Sequence, residues 1–149
     1  MYLKYAKSRE NIKSPVRANP SDAIDIFCPK DMPATSIGPG QNLVIPSGLK
    51  FEVSFGTALV AVNKSGIAVK KSLVVGACLI DHGYIGEVHI DIHNIGTDVQ
   101  VINGGDKIIQ LLHVPVLTPS LLQINEQELY NDVLVVSNRG TGKMGSTGK

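Results

Sequence analysis

The chain has 149 residues, 43% of them apolar and 18% charged, with a formal net charge of +1. That length fits one domain with a sizeable core, and the apolar content argues against disorder. A near-neutral balance excludes a general electrostatic affinity for nucleic-acid backbone, and no apolar run approaches the ~18 residues of a membrane span, so a cytoplasmic protein is expected.

In chain order, the apolar residues mark short strands separated by Gly, Pro and Asn. Residues 43–45 precede a Pro46-Ser47-Gly48 turn, and 50–54 then alternate with period two. Residues 57–62 and 72–75 are nearly continuous apolar strands. Residues 87–93 alternate strictly, with Val88, Ile90 and Ile92 on one face and Glu87, His89, Asp91 and His93 on the other. Residues 99–102, 107–115 and 132–136 complete the strand set, and 121–131 is the one helical candidate. Many short strands without a crossover pattern predict an all-β sandwich or jelly roll with an aliphatic core. The long apolar strands at 72–77 and 107–116 predict that association covers surplus surface.

Cys28 and Cys78 have no metal-ligand spacing and read as buried free thiols. The His89/Asp91/His93 face favours a solvated or subunit-facing surface over a zinc site, because residues two apart on a strand seldom converge with a fourth ligand. Asp25 sits between apolar neighbours and calls for a partner or a water-mediated metal contact. Asp81 follows apolar sequence at a turn, where it suits either a turn cap or a general base held by a rigid hairpin. Tyr84, after Gly83, is placed for a pocket wall. The stretch from Asn63 through Lys64 and Ser65 to Gly66 reads locally as a polar turn able to meet phosphate.

The last eleven residues carry four glycines, two threonines, one serine and three positive charges. They have almost nothing with which to build a core, but their amides, hydroxyls and cations suit an arm closing over an anion. Gly142-Lys143 is not a Walker A loop: Ser137 replaces the first glycine, Met144 the metal-binding hydroxyl, and no helix can follow.

Five ordered segments resemble the trimeric dUTPase family: residues 22–26 (DAIDI), 64–68 (KSGIA), 77–88 (ACLIDHGYIGEV), 105–111 (GDKIIQL) and 139–148 (RGTGKMGSTG). The resemblance implies a jelly-roll-like sandwich or distorted barrel over residues 1–136 and a C-terminal arm at 137–149. It implies hydrolysis of dUTP to dUMP and pyrophosphate with Mg²⁺, in a homotrimer whose sites are shared between chains. By the same resemblance, Asp81 activates water, Tyr84 packs under the deoxyribose, and backbone around Cys78, Leu79 and Ile80 reads uracil. Lys64, Ser65, Gly66 and Gln110 hold phosphates, and Asp25 meets Mg²⁺ through water. Arg139, Lys143, Met144, Gly145, Ser146 and Thr147 belong to the arm. Residues 117–135 resemble the family least well and are read here as routing that arm toward a neighbour. The chain departs from the family at Lys64, usually arginine, and at Met144, usually the phenylalanine that caps the base. Ala23, Cys78 and Lys143 stand where glycine is common, and Gly83 where an acidic residue is. Two other readings stay open: a dCTP deaminase on a similar fold, and a non-enzymatic β-sandwich.

Overall fold

The computed structural model describes residues 2–20 and 22–130. The chain divides into two units, Met1–Thr118 and Pro119–Lys149. In the first lie strands β1 (Lys4–Lys7), β2 (Ile24–Phe27), β3 (Thr35–Ile37), β4 (Asn42–Pro46), β5 (Leu49–Glu52) and β6 (Thr57–Asn63). Helix α1 (Ser65–Lys71) follows, then β7 (Leu73–Val75), β8 (Leu79–Asp81), β9 (His89–Asn94), β10 (Gln100–Ile102) and β11 (Lys107–Pro115). The described part of the second unit holds a single 3₁₀ turn, Glu126–Glu128, in place of the helix expected over 121–131.

All the pairings among the described residues are antiparallel. One sheet runs β2-β11-β6-β8 and another β4-β9-β7, with the two-stranded ribbons β1-β5 and β10-β3 beside them. Inward residues from these sheets meet in one aliphatic core: Ile26, Leu59 and Leu111 from the first, Ile90, Ile92 and Leu73 from the second, all essentially inaccessible to water. Each such side chain contributes roughly 1.5–3 kcal/mol by leaving water, which lets a core without tryptophan suffice. The result is the all-β sandwich that the strand pattern predicts.

Two local irregularities position polar residues. The β2-β11 register shifts between Lys107 and Ile109, a bulge that buries both Ile108 and Ile109. Lys107 and Gln110 are an odd number of residues apart and would otherwise point to opposite faces; the extra residue puts both on the face that carries Asp25. The second irregularity is α1, which sequence reading takes for a polar turn. Lys64 is its N-cap, Lys70 and Lys71 lie in its last turn where cations complement the helix dipole, and Ser72 ends it in a left-handed conformation.

Candidate functional site

Asp25 is held at both levels of its structure. Its N–H and C=O pair with Val16 at 2.7 and 3.2 Å. Its largely buried carboxylate accepts from the Lys64 ammonium on one oxygen and the Lys107 ammonium, at 3.0 Å, on the other. Burial alone would raise its pKa, but the hydrogen bonds and charges of the two lysines outweigh it and hold the carboxyl below its usual value. Gln110 lies opposite Asp25 in the β2-β11 register and donates to the Asn63 carbonyl at 2.9 Å. Asp25, Lys64 and Gln110 line a polar cavity of about 310 Å³ with Ala18, Asp22 and Ala23. Ser65 and Gly66 form the first turn of α1 directly after Lys64, and the opening amides of a helix have no intrahelical acceptor. The structure therefore brings Asp25, Lys64 and Gln110 together, and adds Lys107, which is not among the site residues expected from the sequence. The signal was the Ile108-Ile109 pair, which breaks period-two alternation just after that lysine.

Asp81 belongs to a different place. It ends β8 and lies opposite Ala58, near the start of β6, while Lys64 follows the end of β6. Lys64 lies six positions beyond Ala58, roughly 20 Å along an extended strand. The strand β8 does not belong to a hairpin of adjacent strands, as a rigid hairpin at Asp81 would require; it pairs with β6, from which α1 and β7 separate it in the chain, and forms the edge of its sheet. After Asp81 the chain turns, with Tyr84 N–H donating to the Asp81 carbonyl at 3.2 Å and Gly83 supplying φ +88°. Ala61 N–H donates to the Cys78 carbonyl at 2.7 Å, so alternation along an antiparallel ladder turns the N–H and C=O of Leu79 away from β6. Ile80 is buried beneath them.

A cavity of about 240 Å³ opens at this edge, with Cys78, Leu79, Ile80, Asp81 and Tyr84 in its wall together with Ala61, Ala77, Val88 and His89. The Asp81 carboxylate has no hydrogen-bond partner among the described residues and is open to a water. Tyr84 is folded back over Gly86, where a Cβ would come within 2.5 Å of the phenol oxygen, and its hydroxyl donates to the Glu87 carbonyl at 2.8 Å. Glu87 is in turn fixed by the Gly48 N–H and by Arg9 at 3.0 Å, contacts that lower its pKa against the opposing effect of burial. One face of the Tyr84 ring system is thus held in place while 46% of the residue stays exposed.

Two cysteine and histidine expectations change. Cys28 is buried and its thiol is pushed up to about 12, chiefly by burial, whereas Cys78 is exposed because it opens an edge strand. Asp91 lies on the face of β9 away from Ile90 and Ile92, where its carboxylate is engaged in hydrogen bonds rather than simply solvated, and no group of three or more His, Cys, Asp or Glu among the described residues could hold a metal. Arg139, Lys143, Met144, Gly145, Ser146 and Thr147, the strand at 132–136 and the 136/137 boundary lie outside the described residues. Among the described residues no helix is long and apolar enough to cross a membrane.

The chain is similar to several known proteins. Deoxyuridine 5'-triphosphate nucleotidohydrolase of Yarrowia lipolytica is 30% identical over 149 residues, spanning 99% of this chain and 90% of its own. The Bdellovibrio bacteriovorus protein of the same name is 36% identical over 115 residues, 76% of this chain and 72% of its own. Among solved structures, a Staphylococcus bacteriophage 80alpha dUTPase mutant with dUpNHpp superposes with a TM-score of 0.83 at 25% identity, covering 99% of both chains. A mutant dUTPase from phage phi11 of S. aureus, described as revealing the coordination of a structural Mg(II) ion, gives 0.77 at 27% identity over 85% of this chain and 98% of its own. The dUTPase family model matches residues 10–148, and the chain belongs to that family.

Proposed function

We propose that this protein hydrolyses dUTP to dUMP and pyrophosphate, with Asp81 as the general base. The observation that carries this reading is the cavity at the β8 edge, where a carboxylate with no hydrogen-bond partner among the described residues stands beside outward backbone groups and an anchored aromatic ring. Uracil presents alternating carbonyl acceptors and an N–H donor, part of which the outward N–H and C=O of Leu79 can match. Cytosine reverses part of that pattern, and unmatched polar groups in a closed site lower affinity. Tyr84 packs under the deoxyribose. Asp81 removes a proton from water as its oxygen bonds to the α-phosphorus; the bond from that phosphorus to the bridging oxygen breaks, and pyrophosphate leaves with the electron pair.

The phosphates are held by Lys64, the Ser65 and Gly66 region and Gln110, contributed by a second chain. A water on Asp81 must lie within ~3.5 Å of phosphorus, and phosphate contacts need ~3 Å, so one nucleotide cannot engage both ends of β6 in the same chain. A homotrimer with sites at its subunit boundaries resolves the distance, and residues 137–149 of the third chain act as the closing arm. There Arg139, Lys143, Ser146, Thr147 and the Gly145 amide grip the γ-phosphate, and Met144 covers the base.

Asp25 fits a Mg²⁺ ion only indirectly. Its oxygens are a hard donor suited to magnesium waters, but a lone carboxylate already engaged by two ammonium groups cannot hold the ion without the triphosphate. Bound Mg²⁺ would offset negative charge on the phosphates. Lys64 then exchanges Asp25 for phosphate oxygens, while Lys107 stays to keep Asp25 ionised and oriented. Pyrophosphate release measured with dUTP, dCTP, dTTP and UTP tests the reading: turnover confined to dUTP supports it, and ammonia from dCTP without pyrophosphate overturns it.

A further inference from the structure

The segment Gly76–Cys78 carries the chain from the β4-β9-β7 sheet to the edge strand β8. Each of its residues is tied down. Gly76 N–H donates to the Asp91 carbonyl at 2.9 Å, Ala77 N–H to the Asp91 carboxylate at 2.9 Å, and the Cys78 carbonyl accepts from Ala61 N–H at 2.7 Å. The middle tie is the only one of these made by a side chain. That carboxylate is itself fixed, by Asn42 Nδ2 at 3.2 Å on one oxygen and His93 Nε2 at 3.2 Å on the other. Gly76 passes so close that a Cβ there would overlap both the Asp91 carboxylate and the His93 ring. Asp91 is largely buried for a carboxylate; burial would raise its pKa, yet the Ala77 N–H, Asn42 and His93 together lower it, consistent with a settled acceptor.

We infer that Asp91 is a positioning residue for base recognition, its carboxylate bracing Ala77 so that the wall from Ala77 to Asp81 stands ready for the pyrimidine. This inference rests on the reading of the β8 cavity as the uracil site. Without the brace, the Ala77 N–H loses its acceptor and Ala77 is free to move, leaving Cys78 held to β6 by its carbonyl. The cost then falls on binding the base rather than on the attack at phosphorus, because Asp81 keeps its place opposite Ala58.

The test compares the full-length wild type with Asp91→Leu, which removes the acceptor, and Asp91→Asn, which keeps a carbonyl for the Ala77 N–H. Steady-state kinetics with dUTP and dCTP are read beside amide hydrogen exchange at Ala77. Asp91→Leu should raise KM for dUTP about tenfold, leave kcat within about twofold, reduce discrimination against dCTP, and speed Ala77 exchange about tenfold, the scale of one lost hydrogen bond. Asp91→Asn should return all four toward wild type. Unchanged KM and exchange in Asp91→Leu would overturn the inference. So would a fall in kcat shared by both variants at constant KM, the mark of fewer folded molecules. If Asp91→Leu does not fold, Gly76→Ala displaces the same carboxylate from the other side and must show the same KM effect, and an unchanged KM there overturns the inference too. A wild type inert toward dUTP defeats the functional reading instead, while Ala77 exchange still decides whether the brace exists.

Discussion

Sharing of the site between chains can be tested by crossing two inactive variants. Asp81→Asn removes the base at the Ala58 end of β6, and the double variant Lys64→Ala/Gln110→Ala empties the phosphate side at the Asn63 end. The two ends are roughly 20 Å apart along the strand, about three times the distance from a base through a water to phosphorus. Each variant alone should be nearly inactive. Co-refolded in equal amounts, they assemble at random, and a site works when it draws Asp81 from one parent and Lys64 and Gln110 from the other. With two independent choices, about a quarter of the sites are intact, so the mixture should recover about a quarter of wild-type turnover. Pyrophosphate release is the assay. A mixture no more active than the mean of its parents would refute the shared site and place both ends in one chain.

Other consequences follow from individual residues. Lys64→Arg restores a forked donor, and phosphate binding should tighten, lowering KM for dUTP about two- to fivefold in steady-state kinetics. Asp25, Glu87 and Asp91 all have pKa values held below their ordinary ones, so they favour the folded state above the unfolded carboxyl range of about 3.9–4.3 and lose that contribution as pH falls through the lower folded values. Melting temperature should therefore stay level from pH 7 to about 5 and drop below about 4; a rise on acidification would contradict the ion-pair account. Gly48→Ala forces a side chain into a left-handed backbone (φ +75°) and against Ile12, and should destabilise by about 2–4 kcal/mol in urea unfolding. Iodoacetamide should modify Cys78 in the native protein but reach Cys28 only after unfolding, as counted by mass spectrometry, because burial holds the Cys28 thiol protonated.

Much of the fold is legible in the sequence where burial is one-sided. β9 alternates cleanly because Ile90 and Ile92 face the core, and β6 and β11 announce themselves as apolar runs because they occupy the middle of a four-stranded sheet. Helix α1 does not, because it spans only seven residues and contains Gly66 and the β-branched Ile67 and Val69. Partial packing of Ile67 on the core is a tertiary effect that local propensity does not encode. The site is legible in its parts but not in its partition. Asp25, Lys64 and Gln110 meet as motif order implies, yet Lys107 joins them only through a bulge in β11. Likewise, Cys78 looks like a core thiol in sequence and is exposed because β8 is an edge strand, a property of sheet order rather than composition. Asp91 looked like one of several polar residues on a wet face; only the close passage of Gly76 reveals what its carboxylate holds.

The most direct test is to compare wild type with Asp81→Asn for both dUTP turnover and binding of a non-hydrolysable dUTP analogue. An aspartate that removes a proton from the attacking water predicts a fall in kcat of at least about a hundredfold, with analogue affinity changed by less than about threefold. Turnover retained in Asp81→Asn, or lost only in proportion to weakened binding, would contradict the assignment of the base.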